Sequence, residues 1–178
     1  LAGIDPAEAV ARQDDFIRAT QALWDSWDDD ALILNKESGE YLDSTKVRRV
    51  DYRGPFYKTM GPLNAPRPPQ GYPLLFSDAD AVQGSTVRAD VTIGSLEALA
   101  DADAAIRLLK VPAASRDAID GALAAVAAGT VDGIHLYGPG ALDALQGLER
   151  KPFSSADDRT SRAALGRFVT GVTIVTAL

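Results

Sequence analysis

Residues 133–140 read Gly133-Ile134-His135-Leu136-Tyr137-Gly138-Pro139-Gly140, a short apolar run followed at once by glycine and proline. The length and composition of this run are typical of a β-strand, and the glycines and proline end it. A short helix is predicted to follow over 141–148. A strand that leads through a tight turn into a helix is the repeating unit of parallel sheets, so this region predicts an α/β fold.

The chain upstream of this turn repeats the order of strand and helix. Short strand signals lie at 74–76 and 90–93. A helix capped by Ser95 is predicted to carry on one face the apolar residues Leu96, Leu99, Ile106 and Leu109. A second helix is predicted to begin after Ser115 and to stop at Gly129, because glycine readily adopts the left-handed conformation that ends a helix.

A ligand site is expected in the loops at the carboxyl ends of the predicted strands, because parallel sheets and barrels bind their ligands there. These loops are 77–86, 94–95 and 138–140. Glycine-containing loops that enter helices can bind phosphate through free backbone amides. None of the three is a complete dinucleotide-binding or P-loop motif, so the loops alone do not identify a ligand.

The single histidine of the chain, His135, lies in the predicted strand at 133–137. Alternation along a strand places its side chain on the face opposite Ile134 and Leu136, where it could face a ligand cavity. An imidazole titrates near neutral pH and could move a proton. The alternative is a hydrogen-bonded interior side chain, which is favoured because no nucleophile motif accompanies the histidine.

A helix is predicted near the amino terminus. Asp5 supplies an acceptor at its cap, Pro6 has the backbone angle of a first helical residue, and Glu8 follows three residues after the cap. The helix is predicted to stop before the acidic run 28–30, whose charge is unfavourable at the carboxyl end of a helix. Its apolar face consists of Phe16, Leu23, Trp24 and Trp27, and the two tryptophans are predicted to be core rather than a ligand platform.

Residues 31–72 are predicted to be largely irregular. A hairpin is expected around Gly54-Pro55, and the proline-rich segment 61–73 can form neither a helix nor a central strand. Such a segment is more typical of a lid or binding loop than of a peptide ligand for an SH3-type domain. Four arginines in this region either hold an anionic ligand or form a solvated face: Arg48, Arg49, Arg53 and Arg67.

The composition excludes several classes of function. The chain has 178 residues and a formal net charge of −7, which disfavours nucleic acid and anionic membrane surfaces as partners. No apolar run approaches the roughly 20 residues of a membrane span. The chain contains no cysteine and one histidine. Disulfides, thiolate chemistry and multi-histidine metal sites are therefore excluded, and no metal site is predicted.

Two segments in the first half of the chain resemble a known enzyme family. Residues 22–31 read Ala22-Leu23-Trp24-Asp25-Ser26-Trp27-Asp28-Asp29-Asp30-Ala31, and residues 61–71 read Gly61-Pro62-Leu63-Asn64-Ala65-Pro66-Arg67-Pro68-Pro69-Gln70-Gly71. With Lys36-Glu37-Ser38-Gly39 between them, they are similar to the flavin-dependent monooxygenases related to nitrilotriacetate monooxygenase, in the bacterial luciferase-like superfamily. Residues 131–136 resemble, less specifically, the last barrel strand of that family.

The resemblance implies a partial TIM (β/α)8 barrel with a long irregular insertion. It also implies reduced FMN as the cofactor and O2 as co-substrate in the oxygenation of a small organic substrate. Substrate binding is assigned to Arg67 and His135, and no catalytic residue is identified. The resemblance places the FMN phosphate loop near acidic residues, whose charge opposes a phosphate dianion. The FMN-binding residues assigned there are Ser77, Gly84, Ser85 and Thr86.

The end of the chain resembles a second family. Residues 162–177 are similar to the opening helix and first strand of the flavin reductases, whose fold is the FMN-binding split barrel. This resemblance divides the chain into an incomplete barrel at 1–148, a linker at 149–158 and the start of a reductase domain at 159–178. It implies NAD(P)H as the reductant, a flavin reductase domain or protein as the partner, and a cytoplasmic location.

Two alternative functions remain open. In one, the reductase is the working part and supplies reduced FMN. In the other, the chain is a truncated, non-enzymatic product that binds flavin weakly. A complete barrel takes roughly 250 residues, so the chain is expected to lack several strands. The open strand edges of an incomplete barrel would favour association into a homo-oligomer.

Overall fold

The computed structural model of the chain describes residues 3–146 and 172–176. The chain divides into two compact units. The first, which we call the helical unit, comprises Leu1–Pro73 and Gly84–Val87. The second, the sheet unit, comprises Leu74–Gln83 and Arg88–Leu178. The segment Gly84–Val87 therefore belongs to the helical unit, although the residues on either side of it along the chain belong to the sheet unit.

The helical unit is built on helix α1, Pro6–Trp24, which begins where the sequence predicts. The Asp5 carboxylate accepts hydrogen bonds from the amides of Ala7 and Glu8 at 3.1 and 3.2 Å. These bonds satisfy two of the donors that a helix leaves free at its first turn. The helix ends before the acidic run 28–30, as predicted.

Short elements follow α1 in the helical unit. One turn of 3-10 helix spans Ser44–Lys46. Strands β1, Tyr52–Arg53, and β2, Lys58–Thr59, pair antiparallel. The hairpin predicted around Gly54-Pro55 is thereby confirmed.

The predicted apolar face of α1 is only partly buried. Trp27, just past the helix, is 8% exposed and donates its indole N–H to a carbonyl of the proline-rich segment at 2.7 Å. Leu23 and Trp24 are half-buried. Phe16, on the same predicted face, is not buried. Phe16 is 54% exposed, since the hairpin beside it covers it only in part. The Tyr57 ring meets the Phe16 ring edge-on, with 5.6 Å between the ring centres.

The described part of the sheet unit contains five strands that pair in parallel in the order β3-β4-β5-β6-β7. The strands are β3 Phe76–Asp78, β4 Val91–Gly94, β5 Ile106–Pro112, β6 Gly133–Tyr137 and β7 Val172–Thr176. The helices are α2 Leu96–Ala100, α3 Arg116–Ala127 and α4 Ala141–Gln146. Strand order in the sheet follows strand order in the chain, as in barrels built from strand–helix units. The predicted α/β class is confirmed.

The prediction of one long helix after Ser95 is wrong. Helix α2 ends at Ala100, and Ile106 and Leu109 lie in strand β5. The aspartates that follow α2 are unfavourable at the negative end of a helix dipole and help to end it. In β5, Ile106 and Leu108 are buried two residues apart, which is the period of a strand.

The other predicted elements of the sheet unit lie close to their expected positions. The Ser115 hydroxyl caps α3 by accepting a backbone amide at 3.2 Å. Gly129 follows this helix at a φ of 73°, in the left-handed region. Strand β3 begins at Phe76, two residues later than expected. Helix α4 begins at Ala141 as predicted, and residues 147–148 lie outside the described part of the chain.

Strand β7 confirms the strand predicted near the carboxyl end of the sequence. It pairs in parallel with β6, and His135 is opposite Ile174 in the register. The predicted linker 149–158 and the predicted helix that follows it lie outside the described residues. The structure gives β7 as the fifth strand of the parallel sheet, and its assignment to a separate split-barrel domain stays a prediction.

Apolar side chains cover both faces of the sheet. One buried cluster joins the sheet to α3 and contains Val111, Ile119, Ala122, Ile134 and Leu136. A second lies on the opposite face of the strands and contains Val91, Ile106 and Leu108. Burial of each such large side chain contributes about 1.5–3 kcal/mol. Among the described helices, none combines the length and the apolar character that crossing a membrane requires.

Candidate functional site

Five polar side chains meet near the carboxyl ends of the strands in the sheet unit. Asp78 is the last residue of β3, and Ser95 directly follows β4. Lys110 lies near the end of β5 and His135 in the middle of β6, both on the face away from α3. Together with Asp80, which follows β3, they form a group that we call the edge cluster.

Lys110 connects the acidic members of the edge cluster. Its Nζ lies 2.6 Å from Asp78 Oδ2 and 3.6 Å from Asp80 Oδ2. Asp80 also accepts hydrogen bonds from the backbone amide of Ser95 at 3.1 Å and from its hydroxyl at 2.7 Å. The same hydroxyl caps α2 by accepting the amide of Ala98 at 3.3 Å. Ser95 therefore fixes both the start of a helix and the position of a carboxylate.

The charges of the edge cluster follow from its contacts. The hydrogen bond with Asp78 raises the pKa of Lys110, so the ammonium stays charged. Hydrogen bonds from Ser95 lower the pKa of Asp80. Burial lowers the pKa of His135, which is 8% exposed; Lys110 lowers it further and Asp78 opposes the shift. At neutral pH the cluster thus holds a neutral imidazole beside one ammonium and two carboxylates.

This arrangement favours some ligands over others. Two carboxylates exceed one ammonium in charge, so the cluster suits a neutral or cationic group better than a phosphate dianion. The neutral imidazole of His135 can donate or accept a hydrogen bond and can exchange a proton. Ser77, predicted to bind FMN, is half-buried in β3, and alternation places its side chain on the face opposite Asp78.

The other residues predicted to bind FMN lie in the helical unit, where they contact a carboxylate. Ser85 donates its hydroxyl proton to Asp14 Oδ1 at 2.6 Å. Thr86 donates both its amide and its hydroxyl to Asp14 Oδ2, each at 2.7 Å. Gly84, at a φ of 79°, is exposed and makes the turn that leads into them. Ser77 belongs to the sheet unit, so the four predicted residues are divided between the two units.

These contacts test whether Ser85 and Thr86 fit an FMN phosphate. Burial raises the pKa of Asp14, but hydrogen bonds from Ser85 and Thr86 outweigh this effect and hold the pKa below its ordinary value. The Asp14 carboxylate is therefore charged at neutral pH. It is also buried, with 4% of the residue exposed. Its oxygens use the two hydroxyls and the amide that a phosphate would need. As arranged, these residues do not fit the phosphate.

Arg67, predicted to bind substrate, also contacts the chain's own carboxylates. Its guanidinium lies 2.5 Å from Asp25 and 3.0 Å from Asp29. It also stacks over the Tyr72 ring at 5.3 Å, and the Tyr72 hydroxyl donates to Asp25. Within the helical unit the side chain thus joins α1 to the proline-rich segment. An anionic substrate would have to compete with both carboxylates.

The sequence identified only part of this site. His135 was singled out, but Lys110 was not, because β5 was predicted as the continuation of a helix. The acidic residues near β3 were noticed as a charge and not as partners of a lysine. Asp14 gave no local signal, since its hydrogen-bond partners lie 71 and 72 residues away along the chain.

No model of a known protein family matches the chain. Individual proteins do match it, and the class that the following three share is that of monooxygenases. N-acetyl-S-(2-succino)cysteine monooxygenase of Bacillus subtilis is 37% identical over 78 residues, 44% of this chain and 18% of the relative. Dibenzothiophene-sulfone monooxygenase of Rhodococcus erythropolis is 47% identical over 64 residues, 36% of this chain and 14% of the relative.

Nitrilotriacetate monooxygenase component A of Aminobacter aminovorans is 34% identical over 104 residues, 57% of this chain and 23% of the relative. The chain thus spans less than a quarter of each of these three curated relatives. All three relatives are named as monooxygenases, which is the reaction class that the first predicted resemblance implies. The resemblance of the last residues to flavin reductases stays a prediction.

Two solved structures share the fold at low sequence identity. Long-chain alkane monooxygenase (LadA) gives a TM-score of 0.51 at 18% identity, over 61% of this chain and 30% of that one. DmoA from Hyphomicrobium sulfonivorans gives a TM-score of 0.51 at 17% identity, over 98% of this chain and 47% of that one. The likeness concerns the fold alone.

Proposed function

We propose that the chain is part of a flavin-dependent monooxygenase that oxygenates a small organic substrate with reduced FMN and O2. The observation that carries the proposal is its identity of 34–47% with monooxygenases named for an S-(2-succino)cysteine, a sulfone and an aminopolycarboxylate. These substrates differ widely, whereas the oxygenation reaction is common to all three names. The similarity therefore supports the reaction class and leaves the substrate open.

We further propose that the five-stranded sheet is part of a TIM barrel. The strands are parallel and in chain order, and α3 packs on one face. In such a barrel the face away from the helices is the interior, and active sites lie at the carboxyl ends of the strands. The edge cluster has both properties. Lys110 and His135 lie on the face opposite α3, and Asp78 and Ser95 lie at the carboxyl ends of β3 and β4.

The proposal includes a source of reduced flavin. One relative is named as component A of its monooxygenase, a name that supports a system of more than one component. We propose a flavin reductase, fused to the chain or separate, that draws on NAD(P)H. This requirement favours the cytoplasm, where NAD(P)H is produced. Homo-oligomer formation through open strand edges remains part of the proposal.

Within the proposed site, His135 is the stronger candidate for substrate binding. Its neutral imidazole is buried beside Lys110 and Asp78, and it can hydrogen-bond a polar group of a substrate. Arg67 is the weaker candidate for substrate binding, because Asp25 and Asp29 already neutralise its charge. Neither residue is proposed as a catalytic residue.

One observation favours the non-enzymatic alternative. Asp14 uses the hydroxyls of Ser85 and Thr86, so the residues predicted to bind FMN are committed within the chain. The assignment of FMN to Ser77, Gly84, Ser85 and Thr86 thus stays a prediction that requires Asp14 to move. The reductase alternative rests on residues that lie mostly outside the described part of the chain.

The test is oxygen incorporation by the natural protein that contains this chain. The protein is incubated with FMN, NADH, an added flavin reductase and 18O2, with dibenzothiophene sulfone and nitrilotriacetate as separate probes. Mass spectrometry is expected to show one 18O atom in the product, dependent on the reductase. A His135→Gln variant is expected to raise KM more than it lowers kcat. Absence of both labelled product and any binding of oxidised or reduced FMN would overturn the proposal.

A further inference from the structure

The turn Gly84–Val87 presents a convergent set of hydrogen-bond donors. The Ser85 hydroxyl, the Thr86 amide and the Thr86 hydroxyl all point at the two oxygens of Asp14, at 2.6–2.7 Å. Arg18, one turn further along α1, donates to the Thr86 hydroxyl. Hydroxyls, a backbone amide and a guanidinium around one point are the groups that proteins use to bind oxoanions.

Solvent can reach this turn. Gly84 and Thr86 are exposed, and no atom lies within 4 Å of where a side chain on Gly84 would begin. The anion held at the turn is nevertheless 4% exposed, because it is a side chain of α1 that enters from the protein side. The donors thus point inwards to a carboxylate, while the turn that carries them has exposed residues.

We propose that Ser85, Thr86 and Arg18 form an oxoanion-binding site that the chain closes with its own Asp14 carboxylate. The ligand class is a tetrahedral oxoanion, such as inorganic phosphate or a phosphate monoester. With Asp14 in place, an incoming phosphate meets occupied donors and a like charge. Removal of this carboxylate opens the site.

Two physical reasons make Asp14 the stronger competitor. It is tethered to the same unit, so its effective concentration at the turn far exceeds that of a free anion in solution. Its pKa is also held below the ordinary value by the hydrogen bonds that it accepts, so it stays charged at neutral pH. Arg18 partly neutralises one negative charge at the turn and cannot neutralise both a carboxylate and a phosphate dianion.

The test measures binding of inorganic phosphate to the full chain at pH 7 by isothermal titration calorimetry. Asp14→Ala is expected to bind phosphate at least tenfold more tightly than the unsubstituted chain. The matched control is the double variant Asp14→Ala with Thr86→Val, which keeps the space but lacks one hydroxyl donor. Its affinity is expected to return close to that of the unsubstituted chain.

A second arm separates this inference from the proposed flavin function. The unsubstituted chain is expected to bind FMN and riboflavin with equal affinity, because the phosphate of FMN gains no contact at the turn. Asp14→Ala is expected to prefer FMN at least tenfold. A chain that binds neither flavin but gains phosphate affinity on Asp14→Ala would contradict the flavin function and support the closed oxoanion site.

Several results would overturn the inference. One is phosphate binding by the unsubstituted chain that is as tight as binding by Asp14→Ala. Another is a folded Asp14→Ala variant with no gain in affinity. If that variant does not fold, Asp14→Asn takes its place, since it keeps the size of the side chain and removes the charge that opposes phosphate. A gain in phosphate affinity on Asp14→Asn supports a closed site, and no gain overturns the inference.

Discussion

The helical unit and the sheet unit are stabilised by different interactions. In the described part of the helical unit, the buried apolar residues are Ala19, Trp27 and Ala31. Two carboxylates, Asp14 and Asp15, are buried there as well, at 4% and 1% exposure. In the sheet unit the largest fully buried side chains are apolar: Val91, Leu99, Leu108, Val111, Val131, Ile134 and Leu136.

The two units differ in the substitutions that they tolerate. Asp15 accepts hydrogen bonds from the Tyr52 hydroxyl and from the amides of Phe56 and Tyr57, at 2.5–2.8 Å. A bond of this kind requires its donor in one place, and loss of a partner leaves a buried polar group unsatisfied. Apolar packing depends instead on volume, and it tolerates swaps that conserve volume. The stability of the helical unit should therefore depend on charge and on hydrogen-bond geometry. The stability of the sheet unit should depend on whether a substitution leaves a cavity.

The largest effect is expected from a cavity in the sheet unit. Leu136→Ala removes a side chain with no exposure from the cluster between the sheet and α3, and is expected to cost about 3 kcal/mol. Urea unfolding followed by far-ultraviolet circular dichroism measures the loss. Leu142→Ala is the matched control, because that leucine is 58% exposed on α4 and its removal is expected to change little. Equal losses in both variants would contradict the comparison.

In the helical unit a single methyl group is expected to be disruptive. A Cβ on Gly54 would lie 1.9 Å from Asp15 Oδ1, an oxygen fixed by its hydrogen bonds. Gly54→Ala is expected to cost about 2 kcal/mol through this overlap. Both tryptophans of the chain, Trp24 and Trp27, lie in the helical unit, so tryptophan fluorescence during urea unfolding reports the change.

The control for Gly54→Ala is the same substitution in the sheet unit. Gly121 lies in α3, and nothing stands within 4 Å of a Cβ there. Gly121→Ala is expected to stabilise by up to about 1 kcal/mol, because alanine is the better helix former. A stabilising Gly54→Ala would show that the carboxylate is free to move.

Acid is expected to weaken the helical unit by a smaller amount. Burial raises the pKa values of Asp14 and Asp15, but the hydrogen bonds that they accept outweigh it and leave both below the ordinary value of 3.8. The stability that they contribute is present above that value and lost as the pH falls through the folded-state pKa. The fluorescence midpoint in urea should hold from neutral pH to about pH 5 and fall below about pH 4.

Asp14→Asn with Asp15→Asn should reduce this dependence on pH, because amides do not titrate. A midpoint in the unsubstituted chain that rises on acidification would mean that the two carboxylates are not stabilised by their partners.

The smallest effect concerns His135 in the edge cluster. Its pKa is lowered by burial, with Lys110 adding to the shift and Asp78 opposing it. The neutral imidazole is therefore favoured in the folded state, and stability falls as the pH drops below the ordinary value of 6.5 towards the folded-state value. Because the chain has a single histidine, a nuclear magnetic resonance titration of its ring protons needs no assignment.

Lys110→Met should raise the pKa of His135, since it removes the cation and leaves Asp78. An unchanged or lower pKa in Lys110→Met would show that the two side chains are not electrostatically linked.

Local sequence patterns predicted the sheet unit better than the helical unit. Runs such as 133–137 identify strands because a short apolar run bounded by glycine and proline is typical of a buried strand. The same logic failed at Ile106 and Leu109, whose spacing from Leu96 and Leu99 also fits one face of a helix. The aspartates between the two pairs were the signal that separates them into a helix and a strand.

The candidate site was less predictable because its partners are distant in sequence. His135 is recognisable as a single histidine in a predicted strand. Lys110 is recognisable as a site residue only from its ion pair with Asp78, which lies 32 residues earlier. Asp14 and Asp15 are typical of the exposed face of a helix by any local measure. Their burial depends on contacts with the hairpin and with the turn Gly84–Val87. No sequence pattern within α1 predicts either contact.

The two adjacent carboxylates have a consequence for synthesis of the chain on the ribosome. Helix α1 emerges before its hydrogen-bond partners, since the donors for Asp15 follow 37–42 residues later and those for Asp14 follow 71–72 residues later. Until then both carboxylates must remain hydrated, because burying them without partners costs several kcal/mol. The helical unit therefore cannot complete its folding as the chain emerges until residue 87 has left the exit tunnel.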